Sequence, residues 1–143
     1  MSTPLQNLRR QIDGTLKQIF GTDMDLIEIT QISGGSISSC LHACTSHGDY
    51  FLKSGGADSI RQLRAEADAL RWLQKTSFRV PRVLTVQTIQ GGALLVMEYL
   101  RLRPVRDWEA YAGALVALHR MTHSQFGWHQ NNYIGATEQR NPW

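Results

Sequence analysis

Leu5, Leu8, Ile12, Leu16 and Ile19 recur at intervals of three and four, the spacing of one helical face, until Gly21 stops them. Thr3 before Pro4 supplies a cap and a first-turn proline, so a helix ending near Phe20 is predicted. The period then shortens to two. In Leu26 to Ile32, Ile27 and Ile29 alternate with Glu28 and Thr30, the pattern of a half-buried strand. Ser33-Gly34-Gly35-Ser36 breaks that run. Strands over Ser38–Thr45 and Tyr50–Lys53 follow, joined by a turn at His47-Gly48-Asp49. A second helix comes after Gly55-Gly56 and a cap at Asp58 or Ser59, with Ile60, Leu63, Ala67, Leu70 and Leu73 as its apolar stripe. Val80–Ile89 and Ala93–Met97 form another hairpin around Gln90-Gly91-Gly92. The run Leu94-Leu95-Val96-Met97 lacks polar alternation, so both of its faces must be covered and it is placed centrally. Glu98 to Pro104 reads as a connector. Beyond it, Trp108, Tyr111, Leu115 and Leu118 mark one face of a third helix over Asp107–Met121. The last twenty residues are irregular, yet Phe126, Trp128, Tyr133, Ile134 and Trp143 need a surface to bury against. A missing partner segment, or self-association through this aromatic tail, is expected.

Composition narrows the class. At 143 residues, 42% apolar and 19% charged, the chain has room for one ordinary core and is neither disordered nor a membrane protein. Arg9, Arg10, Asp13 and Lys17 interrupt the amino-terminal segment, so it is no signal peptide. The longest uncharged stretch, 29–48, is rich in Ser, Thr, Gly and His and cannot span a bilayer. A cytoplasmic location without membrane partners is expected. Cys40 and Cys44 stand four apart on one strand, side by side rather than facing, and are read as reduced thiols.

The net charge of +3 is too mild to imply nucleic acid. Arg61, Arg64, Arg71, Lys75, Arg79 and Arg82 lie mostly opposite the second helix's apolar stripe, without stacking aromatics, which describes a solvated face. No nucleic-acid partner is expected. His119 and His123 have helical metal-ligand spacing and His129 follows. No glutamate comes directly after His119 and no cysteine is near, so these are read as packed histidines and no metal site is assigned.

One constellation points to chemistry. Lys53 shares its strand face with Phe51, so its ammonium is aimed at a covered surface and needs a carboxylate. Glu66, three residues after Leu63 and four before Leu70, borders the stripe of the next helix and can supply it. Such a pair holds the lysine ready for nucleotide phosphates, and Gly34 and Gly35 let backbone N–H groups approach the same phosphates. A glycine loop between strands, a lysine on the third strand, a glutamate on the next helix and a connector after a buried strand is the order of a kinase amino-terminal lobe.

The motifs are more specific than that. Ile32-Ser-Gly-Gly-Ser-Ile-Ser38, Tyr50-Phe-Leu-Lys53, Arg64-Ala-Glu-Ala-Asp-Ala-Leu70, Val80-Pro-Arg-Val83, Leu95-Val-Met-Glu-Tyr-Leu100, Ala117-Leu-His119 and Phe126-Gly-Trp-His-Gln-Asn-Asn-Tyr-Ile-Gly135 resemble the fructosamine (ketosamine) kinase family over nearly the whole chain. The resemblance implies an α+β fold: a protein-kinase-like N-terminal lobe with a five-stranded antiparallel sheet and a packed helix over 1–103, then the first helix of a truncated C-terminal lobe over 104–143. It implies a relative of aminoglycoside phosphotransferases and protein kinases that uses ATP and Mg²⁺ to phosphorylate a sugar hydroxyl of ketoamine adducts on proteins or small amines. Lys53 then matches the phosphate-contacting lysine and Glu66 its partner. The loop Ser33, Gly34, Gly35, Ser36 would cover the phosphates, Met97 would stand at the connector's entrance, and Glu98, Tyr99 and Leu100 would meet adenine through backbone groups. Asn132 and Tyr133 are placed toward the acceptor side.

Family members run to nearly twice this length and carry a catalytic aspartate loop and metal-binding residues in their second lobe. No such loop follows Lys53, and His47-Gly48-Asp49 lies before it as a turn. The expectation is therefore that no catalytic or metal-ligating residue lies in this chain and that the chain is inactive alone. The alternative is a noncatalytic nucleotide-binding or protein-interaction fragment.

Overall fold

A computed structural model describes residues 4–32 and 38–141. The loop Ser33–Ser36 assigned to the phosphates, and Trp143 of the tail, lie outside the described residues. In chain order the elements are α1 (Pro4–Phe20), β1 (Leu26–Ile32), β2 (Ser39–Thr45), β3 (Gly48–Gly56), a 3₁₀ turn (Ala57–Ser59), α2 (Ile60–Leu73), β4 (Val83–Ile89), β5 (Gly92–Glu98), α3 (Trp108–His119), β6 (Asn132–Ile134) and β7 (Thr137–Gln139). The first five strands form one antiparallel sheet in the order β1-β2-β3-β5-β4. This is the expected α+β arrangement.

Register assigns side chains to the two faces, because directly opposed residues in an antiparallel pair point the same way. Leu52 opposes Leu41 and Val96, on one face; Phe51 opposes His42 and Met97, and Lys53 opposes Cys40 and Leu95, on the other. Helix α1 covers the first face, where Ile12 and Leu16 pack with Leu41, Ala43, Tyr50, Leu52, Leu94 and Val96. It is fastened at several points. Gln87 on β4 donates to the Thr15 hydroxyl at 2.6 Å, Arg9 reaches the Leu26 carbonyl at 3.0 Å, and the Gln11 side chain accepts from Gln90 N–H. Helix α2 covers the second face through Leu63 and Ala67 against Ala93, Leu95 and Met97. Residues 93–97 of β5 are therefore buried on both faces as their uniform apolarity requires, although β5 lies between β3 and β4 rather than in the middle of the sheet.

Several boundaries differ from the sequence reading. The turn between β2 and β3 is Ser46-His47, and Gly48, at φ +115°, opens β3 with Asp49 inside the strand. Strand β3 continues past Lys53 to Gly56, because Ser54, Gly55 and Gly56 pair with Leu94, Ala93 and Gly92. These glycines serve strand packing: a Cβ on Gly92 would come 2.4 Å from the Gly55 carbonyl oxygen. Strand β4 starts at Val83, not Val80, consistent with Pro81 having no N–H to give a ladder. Asp107 caps α3 from outside, accepting from Ala110 N–H at 2.8 Å, and the helix ends at His119. The tail is ordered where irregularity was expected. Residues 132–139 form a hairpin turning at Gly135 (φ +61°), and Trp128 and Tyr133 are half-buried within the same chain, while Phe126 and Ile134 stay exposed. Cys40 and Cys44 are free, as expected. Among the described residues, no helix is long and apolar enough to cross a membrane.

Candidate functional site

Lys53 leaves β3 on the α2 side, and Glu66 comes down from the helix to meet it. The ammonium donates to both carboxylate oxygens, at 2.7 and 2.8 Å, with the two side chains 26% and 31% exposed. Two-oxygen capture fixes the ammonium, while the remaining exposure leaves a donor direction open to a ligand. The ion contact that the sequence pattern required is present.

The connector is fastened at both ends. Glu98 accepts from the Arg79 guanidinium and, at 3.2 Å, from Arg82 N–H, while its own N–H donates to the Arg82 carbonyl at 2.8 Å. Burial pushes the Glu98 carboxyl up, but the Arg79 and Arg82 contacts and charges outweigh it and hold the carboxyl below its ordinary range. A carboxyl lowered on folding contributes stability that is complete above its unfolded value and fades as pH falls through the folded one. The gap in Tm between the wild type and Glu98→Gln is thus expected to be widest near pH 7 and to close below about pH 4. An unchanged gap from neutral to acid would show that the carboxylate does not work through its charge.

Beyond Glu98, Tyr99 lies on the His42 ring at 4.3 Å between centroids. Arg101 stands 3.5 Å from Asp49, whose other oxygen is 3.5 Å from His42 Nε2. Asp49, assigned to a turn by the sequence reading, instead lies within β3, beside Arg101 of the connector. Arg79 and Arg82, read as solvated charges, hold Glu98. Spacing offered no signal for these contacts, since each crosses between elements that only the sheet order brings together. On the same face, Cys44 opposes Asp49; burial first, then that carboxylate, push the Cys44 thiol up, so it stays protonated at neutral pH.

Met97, at the connector's entrance, is 3% exposed and packs in the α2-side core, opposite Phe51. Phe51, His42 and Lys53 share the α2 side of the sheet, where Tyr99 of the connector lies against His42, whereas Glu98 opposes Tyr50 of the other face. Asn132 and Tyr133 lie on β6, outside the five-stranded sheet, and their side chains meet different neighbours. The Asn132 amide oxygen accepts from Asn141 at 2.7 Å, while Tyr133 lines a cavity of about 300 Å³ against α2 with Arg61, Arg64, Gln130 and Asn131. Among the described residues, no three His, Cys, Asp or Glu side chains converge on a point that could hold a metal.

Comparison with known proteins gives this arrangement its relatives. A family model described as fructosamine kinase matches residues 8–143. The chain belongs to the fructosamine kinase family. A Synechocystis protein named "Probable ketoamine kinase slr1563" is 35% identical over 98% of this chain and 48% of its own length. A Vibrio cholerae protein named "Probable ketoamine kinase" is 32% identical over 90% of this chain and 46% of its own length. Among solved structures, one from Haemophilus somnus that carries the name of a fructosamine-3-kinase superposes with a TM-score of 0.86 at 24% identity, over 97% of this chain and 48% of that one. An aminoglycoside phosphotransferase from Streptomyces rimosus superposes with a TM-score of 0.59 at 20% identity, over 87% of this chain and 46% of that one. The fold of this fructosamine kinase family member is thus the kinase-like N-terminal lobe, and the chain spans about half the length of the curated relatives it matches.

Proposed function

We propose that this chain is the nucleotide-binding half of an ATP-dependent ketoamine kinase that phosphorylates a sugar hydroxyl of ketoamine adducts on proteins or small amines. The observation that carries the proposal is the two-oxygen Lys53–Glu66 contact, set beside an anchored connector in a member of the fructosamine kinase family. Lys53 orients the α- and β-phosphates and Glu66 holds Lys53; the loop of Ser33, Gly34, Gly35 and Ser36 covers the phosphates. Met97 closes the inner end of the adenine site, and the backbone of Glu98, Tyr99 and Leu100 meets the base. Asn132 and Tyr133 belong toward the acceptor side. The division into lobes falls near Arg103, and the protein works in the cytoplasm. The fit to ATP rests on the fixed ammonium. Mg²⁺, which would neutralise phosphate charge when bound, would take its ligands from a second lobe of the kind the resemblance implies.

A specific observation favours binding without turnover by these 143 residues. Asp49 of the His47-Gly48-Asp49 triplet lies inside β3, before Lys53, with Arg101 and His42 Nε2 each 3.5 Å from its carboxylate, rather than on a loop after the sheet. Calorimetric titration with Mg-ATP is expected to show binding, and a phosphate-transfer assay on a lysine ketoamine to show none. No heat of nucleotide binding would remove the proposal; phosphate transfer by this chain would remove its claim of inactivity.

A further inference from the structure

Helix α2 carries a second stripe. Arg61, Ala65, Asp68 and Trp72 follow one another at steps of four, three and four, on the side away from the sheet. Ala65 is nevertheless only 8% exposed, so something covers it. The cover is the segment after α3. Trp128 donates its indole N–H to Asp68 at 3.1 Å and meets the Trp72 ring edge-on at 5.4 Å. His129 Nε2 lies 3.0 Å from the same Asp68 oxygen. Gln62 donates to the Gly135 carbonyl at 2.9 Å. These attachments bracket Glu66: Gln62 is one helical turn before it, Asp68 two residues after, Trp72 six after.

On the sheet side, α2 packs Leu63 and Ala67, with Ile60 and Leu70 partly buried beside them, against Ala93, Leu95 and Met97. Such apolar contact is non-directional and sets no exact helix position, whereas a Glu66 carboxylate seated at 2.7–2.8 Å from Lys53 is sensitive to small shifts of the helix. Clamping from behind restricts them.

We infer that residues 128–135 clamp α2 from its outer side and so hold Glu66 against Lys53, with Trp128 and Asp68 acting as positioning residues. The inference rests on the reading of Lys53 and Glu66 as a nucleotide-binding pair. It gives a role to Trp128, His129 and Gly135 of the Phe126–Gly135 motif that spacing alone could not assign: they serve the lysine through the helix behind it.

The test is a double-mutant cycle on Mg-ATP affinity, measured by calorimetry, with the Tm of each nucleotide-free variant as the control for folding. Trp128→Phe keeps a ring against Trp72 and loses the N–H donor. It is expected to weaken Mg-ATP about fivefold in the wild-type background, the loss of one hydrogen bond, and to add nothing in a Glu66→Gln background. Asp68→Ala, which removes the partner of both Trp128 and His129, should weaken Mg-ATP at least as much as Trp128→Phe, while Asp68→Asn, which retains an acceptor oxygen for the indole, should lose less than Asp68→Ala. A purely structural role would give losses that add across the cycle, and that result overturns the clamp. So does an unchanged affinity in both Trp128→Phe and Asp68→Ala when the wild type binds. If the wild type itself fails to bind Mg-ATP, the nucleotide reading falls first and the clamp's link to it falls with it.

Discussion

Replacing Lys53 by Met is expected to abolish the rise in Tm that Mg-ATP gives the wild type, and to leave the nucleotide-free Tm nearly unchanged. The two halves of this result have separate causes. Each charge-assisted hydrogen bond from an ammonium to a phosphate oxygen contributes about 1.5–3 kcal/mol, so losing the lysine's phosphate contacts weakens binding by about a hundredfold or more. The free protein loses little, because the Lys53 and Glu66 side chains are each more than a quarter exposed and Met retains the apolar stem beside Leu95 and Cys40. Lys53→Arg should not restore binding, since a planar fork cannot take the position of a compact ammonium between two carboxylate oxygens and a ligand. Thermal unfolding with and without Mg-ATP reads both variants. A nucleotide response in Lys53→Met equal to that of the wild type would remove Lys53 from the site.

The largest effect on stability is expected at Leu52. Its side chain is fully buried beneath α1, among Ile12, Leu16, Leu41 and Val96, so Leu52→Ala removes apolar contact and leaves a cavity that strands on both sides cannot close. The expected loss is about 3 kcal/mol, or about 10 °C in Tm for a domain of this size. Phe126→Ala, at a ring 80% exposed, should move the midpoint far less and serves as the contrast. Urea unfolding followed by far-UV circular dichroism measures both. A loss below about 1 kcal/mol at Leu52 would mean that α1 does not seal this face of the sheet in solution.

What the sequence made legible follows from period and composition. The apolar spacing of Leu5 to Ile19 and of Ile60 to Leu73 yielded both helices, because burying one face demands that spacing. The charge logic of Lys53 and Glu66 was also readable: a lysine on a covered face needs an acid, and the helix offered one at its border. Less readable were features set by chain-distant pairing. Gly55 and Gly92 look like turn residues until β3 and β5 are laid side by side. Arg79 and Arg82 look like solvent-facing charges, and Asp49 like a turn residue, until Glu98 and Arg101 of the connector are laid beside them. Ala65, Asp68 and Trp72 were hidden because α2 bears two stripes, and small, acidic and aromatic members do not stand out as apolar.

Helix α1 precedes every strand, and from sequence it passes for an appendage ahead of the lobe. Its Ile12 and Leu16 nonetheless close a layer whose other side is made by β2, β3 and β5. A fragment beginning at Leu26 would present Leu41, Ala43, Leu52, Leu94 and Val96 to water together, a contiguous greasy patch of the kind that drives aggregation. Any piece of this protein that keeps the sheet covered must therefore retain α1 from Leu8 onward, and trimming it to the strands would sacrifice the very interior that keeps them paired.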